Sequence, residues 1–405
     1  MKGLTEAYRA LCDVYIREAF VSEAVKKPCF AEHKAALRLV YGTIEHHYLY
    51  DYRLSRLVPK APKTAVSVLL KMGMYLIDFA DNVPTFAAVN EIVETAKAVG
   101  KGNLAGFINA VLRRYTEEGK ELYPTDETEL LSVRSNRPLW LVKRYIKECG
   151  KERAMAILSA KGSEKTHIRS ALSFGKEALR TYLAEHNVAH EETPYGFTVG
   201  AVSEMGELLQ QGKATVMSEG SLAVAEAVPY HGGKILDMCA APGGKSVYLA
   251  EKFGAEVIAC ELYPHRAELI KQYAERMHAP SVVVRVMDGT CYESSFAGAF
   301  GTVLLDAPCS GLGTVAANPD IVLHRKESDL AAIIQTQKAL LQNAARYVTE
   351  KGSLVYATCS DLPSEDEKVT EEFLKTHPDF TLRQEMHTET ESMGEGYYFA
   401  VLEKK

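Results

Sequence analysis

The chain has 405 residues, more than one hydrophobic core usually organises, so two or three domains are expected. Its apolar and charged fractions, 47% and 25%, are ordinary for a globular protein, and no apolar run approaches the length that crosses a bilayer. The eight cysteines form no C-x-x-C pair, which argues against a zinc site and a disulfide framework. We therefore expect a cytoplasmic monomer that holds no metal and binds no membrane.

The net charge of −6 hides an asymmetry along the chain. Residues 1–150 carry +4 and the remainder carries −10, and the densest basic stretch, Arg134 to Arg169, has ten basic and three acidic residues. A basic segment beside an acidic domain is typical of proteins that bind a polyanion at one place. A solvated helix face fits the same pattern, so charge alone leaves both interpretations open.

Residues 1–125 are predicted to be helical throughout. Apolar residues recur there at spacings of three to five, as between Ala35 and Leu49, and prolines and glycines separate the segments. One predicted helix ends in Arg113 and Arg114, where cations favour the negative end of the helix dipole. No pattern in this region indicates catalysis, so we predict a helical bundle that binds a partner or supports the rest.

Residues 126–205 are predicted to form a small, basic α/β connector. Residues 166–170 and 196–199 alternate like strands around a helix near residues 176–185. The chain's one tryptophan, Trp140, follows Pro138 near the start of this region. A position in the hydrophobic core is the favoured interpretation for it.

From residue 206 to residue 405, segments of strand character alternate with segments of helix character. This alternation is typical of a mostly parallel, doubly wound sheet of the Rossmann-like kind. Six strands are predicted: Lys234–Met238, Glu256–Glu261, Ser281–Met287, Gly301–Asp306, Ser353–Tyr356 and Tyr397–Leu402. Ligands of such sheets bind beyond the carboxyl ends of the strands, so the residues that follow each strand are the site candidates.

The first three strands end in residues that suit an adenosine-like cofactor. A small, glycine-rich turn, Cys239–Lys245, follows the first strand and allows the backbone to approach a ligand closely. Glu261 ends the second strand, where a carboxylate can accept both ribose hydroxyls, and Asp288 follows the third, within reach of an adenine amino group. Each acid alone suits a cap or the surface. The turn lacks G-x-G-x-x-G spacing, which disfavours an NAD-dependent oxidoreductase.

Cys309 and Cys359 follow the fourth and fifth predicted strands, within D-A-P-C-S-G and A-T-C-S. Neighbouring strands lie about 5 Å apart, so both thiols can face one substrate. A buried structural cysteine is the usual alternative. Here, however, both cysteines follow a strand and stand among small or polar residues, which weakens that alternative.

Paired thiols suit methylation of cytosine at C5. That carbon is a weak nucleophile, and addition of a thiolate to C6 makes it enamine-like, so that it can attack an electrophilic methyl group. The target base must first leave any stack, which costs a few kcal/mol in a duplex. Asp306 is a candidate to hold the base, and its position leaves a cofactor contact equally open. Residue chemistry alone allows either cysteine to attack.

The segments D-x-C-A-A-P-G-G-K-S, D-A-P-C-S-G and A-T-C-S together resemble the RsmB/Nop2/Sun family of RNA cytosine-C5 methyltransferases. Leu39–Ile44, Ala87–Glu91 and Ala105–Arg114 are similar to the NusB-like domain fused to such enzymes. The resemblance implies methylation of cytosine C5 in small-subunit ribosomal RNA with S-adenosylmethionine as cofactor. The alternatives are another RNA such as tRNA, a protein or small-molecule methyltransferase, which needs no paired thiols, and a non-catalytic RNA-binding assembly factor.

The resemblance implies that Cys359 attacks C6, that Cys309 serves release of the RNA, and that Asp306 lies between cofactor and base. The expected cofactor contacts are Cys239, Ala240, Ala241, Pro242, Gly243, Gly244, Lys245, Glu261, Arg266, Asp288 and Asp306. The expected RNA contacts are Arg113, Arg114, Arg134, Arg137, Lys143 and Arg144.

The chain departs from the family's pattern in four places. Glu261 stands where the family usually has Asp, and the longer side chain still permits a ribose contact. The usual V-Q-D-x-x-S is Val216–Ser221 here, without the Gln and the Asp. The usual R-H-P-D is Ala317–Asp320, so a positive charge is missing that residues 324–326 could replace. The usual P-x-E-N-E is Pro363–Glu367, with Asp in place of Asn.

Overall fold

A computed structural model describes residues 3–80, 83–162, 165–200, 202–388 and 395–405. Its contacts divide the chain into two units, Met1–Ser159 with Asn318–Glu327 and Ala160–Ala317 with Ser328–Lys405. Within the described ranges, none of the helices combines the length and apolar character that a membrane span requires.

The first unit is helical, as the periodicity of its sequence predicts. Its longer helices are α1 (Leu4–Arg17), α4 (Lys34–Glu45), α5 (His47–Leu57), α6 (Thr64–Phe79), α7 (Thr85–Ala98), α8 (Ala105–Arg114), α9 (Glu127–Ser135), α10 (Leu139–Cys149) and α11 (Lys151–Ser159). Single turns form α2 (Val21–Ala24), α3 (Cys29–Glu32) and α17 (Ile321–His324). Helix α6 is buried along most of its length, which its nearly continuous apolar sequence explains.

A buried polar network joins three helical segments of this unit. Arg53 of α5 donates to Asp78 of α6 (3.1 Å) and to the hydroxyl of Tyr115 (2.5 Å), and that hydroxyl donates to Asp78 (2.6 Å). Arg53 is 3% exposed, so its charge requires these partners.

Residues 126–159, predicted as part of the connector, lie with the helices instead. The side chain of Asn136 donates to the carbonyl of Ile44 (2.9 Å) and accepts the N–H of Tyr48 (3.2 Å), which fixes the turn after α9 against α4 and α5. The contacts thus divide the chain near residue 160, whereas the sequence suggested boundaries at residues 126 and 206.

The segment 318–327 also lies in the helical unit, far along the chain from its other helices. Buried Asp320 accepts the N–H of Val21 (2.8 Å), and the hydroxyl of Tyr48 donates to the carbonyl of Val322 (3.2 Å). Asp320, in the segment that departs from R-H-P-D, therefore has a structural partner in this unit.

The second unit contains a four-stranded antiparallel sheet with strand order β2-β3-β1-β4. Its strands are β1 (Thr166–Ser170), β2 (His190–Thr193), β3 (Gly196–Val199) and β4 (Ala214–Val216). Helices α12 (Lys176–Glu185) and α13 (Gly206–Gln210) contribute Leu179, Leu183 and Leu208 to its core. The two strands predicted in the connector are confirmed, and β2 and β4 complete the sheet.

The larger sheet of the second unit has seven strands in the order β10-β11-β9-β8-β5-β6-β7. Its strands are β5 (Ile235–Asp237), β6 (Val257–Glu261), β7 (Val282–Val286), β8 (Phe300–Asp306), β9 (Val348–Thr358), β10 (Phe380–His387) and β11 (Tyr398–Lys404). Its helices are α14 (Glu219–Ala227), α15 (Gly244–Phe253), α16 (Pro264–Arg276), α18 (Asp329–Tyr347) and α19 (Glu367–Thr376). Strands β5 to β9 are parallel to one another, and β11 alone runs in the opposite direction, antiparallel to both β9 and β10, so the mostly parallel sheet is confirmed.

Main-chain hydrogen bonds continue past the ends of the parallel strands. Ala240 donates to the carbonyl of Cys260 (2.9 Å), and Ala307 donates to the carbonyl of Ala357 (2.8 Å). The loops that leave β5 and β8 are therefore anchored to the neighbouring strands β6 and β9. All candidate catalytic residues lie in or beside these loops.

Candidate active site

The conformation of the glycine-rich turn after β5 is fixed by neighbouring residues. Asp237 is buried and accepts a hydrogen bond from Ser246 (2.6 Å), and burial raises the pKa of Asp237 to about 7. Gly243 has a φ of 110°, and a Cβ there would come within 3.2 Å of Ile270. The turn therefore requires glycine, and it leads into the first N–H groups of α15, a kind of group that can bind an anionic ligand.

Two carboxylates lie at the carboxyl end of β6 and shortly after β7, and hydrogen bonds hold both. Glu261 is 4% exposed, its Oε1 accepts the N–H of Tyr263 (3.1 Å), and Arg266 lies 3.6 Å from the same oxygen. Asp288 accepts the hydroxyl (2.7 Å) and the N–H (2.9 Å) of Thr290, and these bonds lower the pKa of Asp288. Carboxylate acceptors at successive strand ends, beside a glycine-rich turn, fit the ribose and adenine of a nucleoside cofactor.

Lys245 reaches from the turn towards the end of β8. Its Nζ lies 2.7 Å from Oδ2 of Asp306 and 5.5 Å from the ring centre of Tyr397. Burial works against the charge on Lys245, but the attraction of Asp306 outweighs it, so the pKa of Lys245 is raised. Cys359 lies close enough to interact electrostatically with this lysine. Lys245 is therefore held as an ammonium ion beside Asp306 at the end of β8.

Cys309 and Cys359 are brought together by β8 and β9, which pair in parallel with Asp306 opposite Ala357. Their sulfur atoms lie 3.2 Å apart, and the N–H of Cys359 donates to the sulfur of Cys309 (3.4 Å). The hydrogen bond with Cys359, together with burial, raises the pKa of Cys309 well above its usual range. The adjacency expected from the sequence is thus present, and Cys309 is held as a thiol.

The surroundings of the two thiols differ in charge. Lys245 acts on Cys359, whereas the nearby carboxylate of Glu365 acts on Cys309. A carboxylate opposes a thiolate, so Glu365 contributes to the raised pKa of Cys309.

Sequence reasoning missed Glu365, which is fully buried and accepts hydrogen bonds from Ser310 and Ser360. Each serine directly follows one of the two cysteines. The only signal was its place in the segment Pro363–Glu367, which does not reveal a contact across 55 residues.

The departure at Val216–Ser221 has a local structural explanation. Ser218 is the N-cap of α14 and accepts the N–H of Ser221 (3.3 Å), and its hydroxyl donates to that of Tyr397 (3.3 Å). Tyr397 in turn lies beside Lys245, so this segment touches the edge of the site through that tyrosine.

The predicted RNA contacts have unequal access to solvent. Arg137 is 8% exposed and donates to the carbonyl of Ser135 (2.8 Å), so this residue does not fit a surface contact. Arg114 pairs with Glu118 and donates to the carbonyl of Leu57 (2.7 Å). The remaining candidates are exposed or half-buried: Arg113, Arg134, Lys143 and Arg144.

Trp140 is half-buried rather than in the core, contrary to the interpretation favoured from the sequence. It lines a cleft of about 400 Å³ with Lys143, Arg144 and Lys147, which follow it at helical spacing along α10. Arg144 also pairs with Glu148, and Glu327 lines the same cleft. This face of α10 presents an aromatic ring among three cations, a combination that suits a nucleic-acid strand.

Residues 226–403 match the 16S rRNA methyltransferase RsmB/F family, and residues 4–117 match the NusB family. The probable ribosomal RNA small subunit methyltransferase B of Bacillus subtilis is 31% identical over 84% of this chain and 80% of its own length. The ribosomal RNA small subunit methyltransferase B of Sodalis glossinidius is 29% identical over 94% and 92%.

Two solved structures share the fold. The crystal structure of PH0851 is 23% identical, with a TM-score of 0.83 over 99% of each chain. NSun6 from Pyrococcus horikoshii, solved with SFG, is 19% identical, with a TM-score of 0.57 over 66% of this chain and 98% of that one. The chain therefore belongs to the 16S rRNA methyltransferase RsmB/F family and is an S-adenosylmethionine-dependent RNA methyltransferase.

Proposed function

We propose that the chain methylates C5 of a cytosine in small-subunit ribosomal RNA through a covalent bond between the sulfur of Cys359 and C6 of the base. The observation that carries this proposal is the contact of two thiols at 3.2 Å, of which Cys309 is held protonated by its hydrogen bond with Cys359 and by burial. The ribosomal RNA target is inferred from the relatives, which are described as small-subunit methyltransferases.

The residues of the first three strand ends are proposed to hold S-adenosylmethionine. The turn Cys239–Lys245 receives its methionine end, Glu261 its ribose and Asp288 its adenine, with Arg266 beside the Glu261 carboxylate. When bound, the cofactor supplies an electrophilic methyl group. Lys245 and Asp306 lie between the glycine-rich turn and the end of β8, and their ion pair holds the Asp306 carboxylate in place.

The Cys359 thiolate adds to C6, and the C6 bond makes C5 nucleophilic enough to take the methyl group. The Asp306 carboxylate accepts the cytosine amino group and orients the ring. Loss of the C5 proton to a base then restores the C5–C6 double bond and expels the Cys359 thiolate. Cys309, 3.2 Å from the departing sulfur, is placed to assist this release.

The cleft on α10 is proposed as an RNA-binding surface, with Trp140 against a base and Lys143, Arg144 and Lys147 near phosphates. Arg113 and Arg134 are further candidates on the same unit, and Arg137 is not, because it is buried. Binding of RNA by this unit would support catalysis by the other without any catalytic group of its own.

Bisulfite sequencing of ribosomal RNA tests the proposal directly, since 5-methylcytosine resists conversion. One cytosine of the small-subunit RNA should be protected in cells that carry the gene and converted in cells that lack it. Restoring the gene should restore the protection, and a Cys359→Ala gene should not. A conversion pattern that is the same with and without the gene would contradict the proposed target.

A further inference from the structure

Glu365 is fully buried beneath the two cysteine-bearing turns, and the reaction proposed above assigns it no step. Its Oε1 accepts the hydroxyls of Ser310 (2.5 Å) and Ser360 (2.8 Å). Its Oε2 accepts the N–H of Ser310 (2.8 Å) and the side-chain amide of Gln337 (3.0 Å). One carboxylate thus joins the residue after Cys309 to the residue after Cys359.

The carboxylate is itself held from two sides. The hydroxyl of Tyr356 donates to the main-chain carbonyl of Glu365 (2.6 Å), which fixes the backbone beneath the site. Gln337 of α18 also donates to the carbonyl of Pro308 (3.1 Å), one residue before Cys309. The turn after β8 and the turn after β9 are therefore tied to one rigid acceptor, in addition to the strand pairing that precedes them.

A buried carboxylate needs several hydrogen bonds, and Glu365 accepts four. Burying such a group costs more free energy than burying an apolar side chain of similar size. An amide of the same shape would remove the negative charge, and its NH₂ group would require the Ser310 and Ser360 hydroxyls to accept instead of donate. The hydrogen bonds are directional, so they set the separation of the two turns more narrowly than packing would.

We propose that Glu365 is a positioning residue that holds the two turns so that the sulfur atoms of Cys309 and Cys359 remain in contact. The inference rests on the proposed two-thiol reaction, in which adduct formation and release require both sulfurs at one base. Glu365 also has an electrostatic effect. Its negative charge beside Cys309 opposes a thiolate at Cys309 and leaves attack to Cys359.

Thiol spacing can be measured without RNA or methyl transfer, using phenylarsine oxide, an arsenical that binds two thiols a few ångströms apart. The wild type should bind it through Cys309 and Cys359, and a Cys309→Ser variant gives the background of the other cysteines. Glu365→Gln should weaken this binding about tenfold or more, because the second thiol loses its high effective concentration. Glu372→Gln, on the exposed face of α19, is the matched control and should bind like the wild type.

Glu365→Gln should also lower kcat by about 100-fold, as misplacement by about 1 Å does, with S-adenosylmethionine affinity unchanged. In a Cys359→Ser background it should move the pH dependence of Cys309 alkylation to lower pH, a change that a purely structural role would not produce. Where Glu365→Gln does not fold, Ser360→Ala, which removes one of the four bonds, should weaken arsenical binding in the same direction.

A folded Glu365→Gln enzyme that keeps wild-type arsenical affinity and kcat would overturn the inference, as would unchanged arsenical affinity in Ser360→Ala. Because the arsenical experiment involves no RNA, its result stands even if the cytosine-C5 proposal fails.

Discussion

The sulfur atoms of Cys309 and Cys359 lie in contact at 3.2 Å, although 50 residues separate them in the chain. The contact follows from the pairing of β8 with β9, since each cysteine comes shortly after the last paired residue of its strand. Two thiols at this distance can act on the same base one after the other, the first by attack and the second in release.

Replacing Cys309 by Ala should trap the enzyme on its RNA. Attack by Cys359 remains possible, while release loses the neighbouring thiol, so a covalent RNA–protein adduct should accumulate on a denaturing gel. Cys359→Ala should form no adduct and should lose methylation, although it keeps cofactor affinity.

The double variant decides between the roles, because an adduct that depends on Cys359 must disappear from it. Cys29→Ala is the control, since this cysteine lies in the helical unit and outside the pair. Adduct formation by Cys359→Ala together with none by Cys309→Ala would reverse the assignment.

The general form of the sheet could be predicted because its strands are buried and apolar. All five residues of β6 are buried, and the run Val257–Glu261 is correspondingly apolar up to its terminal carboxylate. β10 was missed because most of its residues are half or fully exposed, and T-L-R-Q-E-M shows little strand periodicity. The antiparallel edge of the sheet was therefore only half predicted.

Individual residues were harder to predict where their role depends on distant partners. Arg137 stands in the densest basic stretch and looks like a surface cation, yet it is buried. Trp140 was expected in the core and lines a cleft. Glu365 contacts Ser310 across 55 residues, and no local pattern in one sequence contains that relationship. The strand ends could be predicted, whereas the groups that lie beneath them could not.

Lys245→Met should reduce kcat by about 100-fold or more, as loss of one preorganised charge at a reacting centre typically does. The change leaves the Asp306 carboxylate without its partner and removes the cation that acts on Cys359. Lys245→Arg, which keeps the charge, should retain more activity than Lys245→Met. Steady-state kinetics and cofactor titration measure both effects, with Lys338→Met of α18 as the control. A Lys245→Met enzyme within threefold of the wild type would remove this lysine from the mechanism.

Neutralising Lys143 and Lys147 to Gln should weaken RNA binding and flatten its dependence on salt. Each phosphate contact contributes about 0.7 to 0.9 to the slope of log affinity against log salt concentration, so the double variant should lose about 1 to 2 units of slope. Trp140 supplies the signal, because it is the only tryptophan and lies in the same cleft, so bound RNA should quench its fluorescence.

Two exposed lysines elsewhere in the helical unit, Lys26 and Lys97, provide the matched double control. If log affinity falls with log salt concentration at the same slope for the wild type and the Lys143/Lys147 variant, this face of α10 contacts solvent and not RNA.

Because of Asp237, the unfolding free energy of the second unit, which contains both sheets, should fall as pH rises. Burial raises the pKa of Asp237 from 3.8 to about 7, so the folded state holds a proton that the unfolded state has lost. Its contribution is fully present below about pH 4 and is lost as pH rises towards 7. The side chain introduced by Asp237→Asn is neutral at every pH. The unfolding free energy of this variant should therefore increase relative to that of the wild type by about 3 kcal/mol between pH 5 and pH 8. Urea-dependent labelling of buried Cys260, read by peptide mass spectrometry, reports this unit.

The fluorescence of Trp140 follows unfolding of the helical unit and should give the same transition for both proteins, which makes it an internal control. Comparison of wild type and variant at each pH cancels the pH dependence of the labelling reaction itself. A difference in unfolding free energy that stays constant from pH 5 to pH 8 would show that Asp237 titrates alike in the folded and unfolded chains. In that case the carboxylate beneath the cofactor turn would be ionised throughout, and the negative charge next to Asp306 and Lys245 would be larger than inferred from its burial.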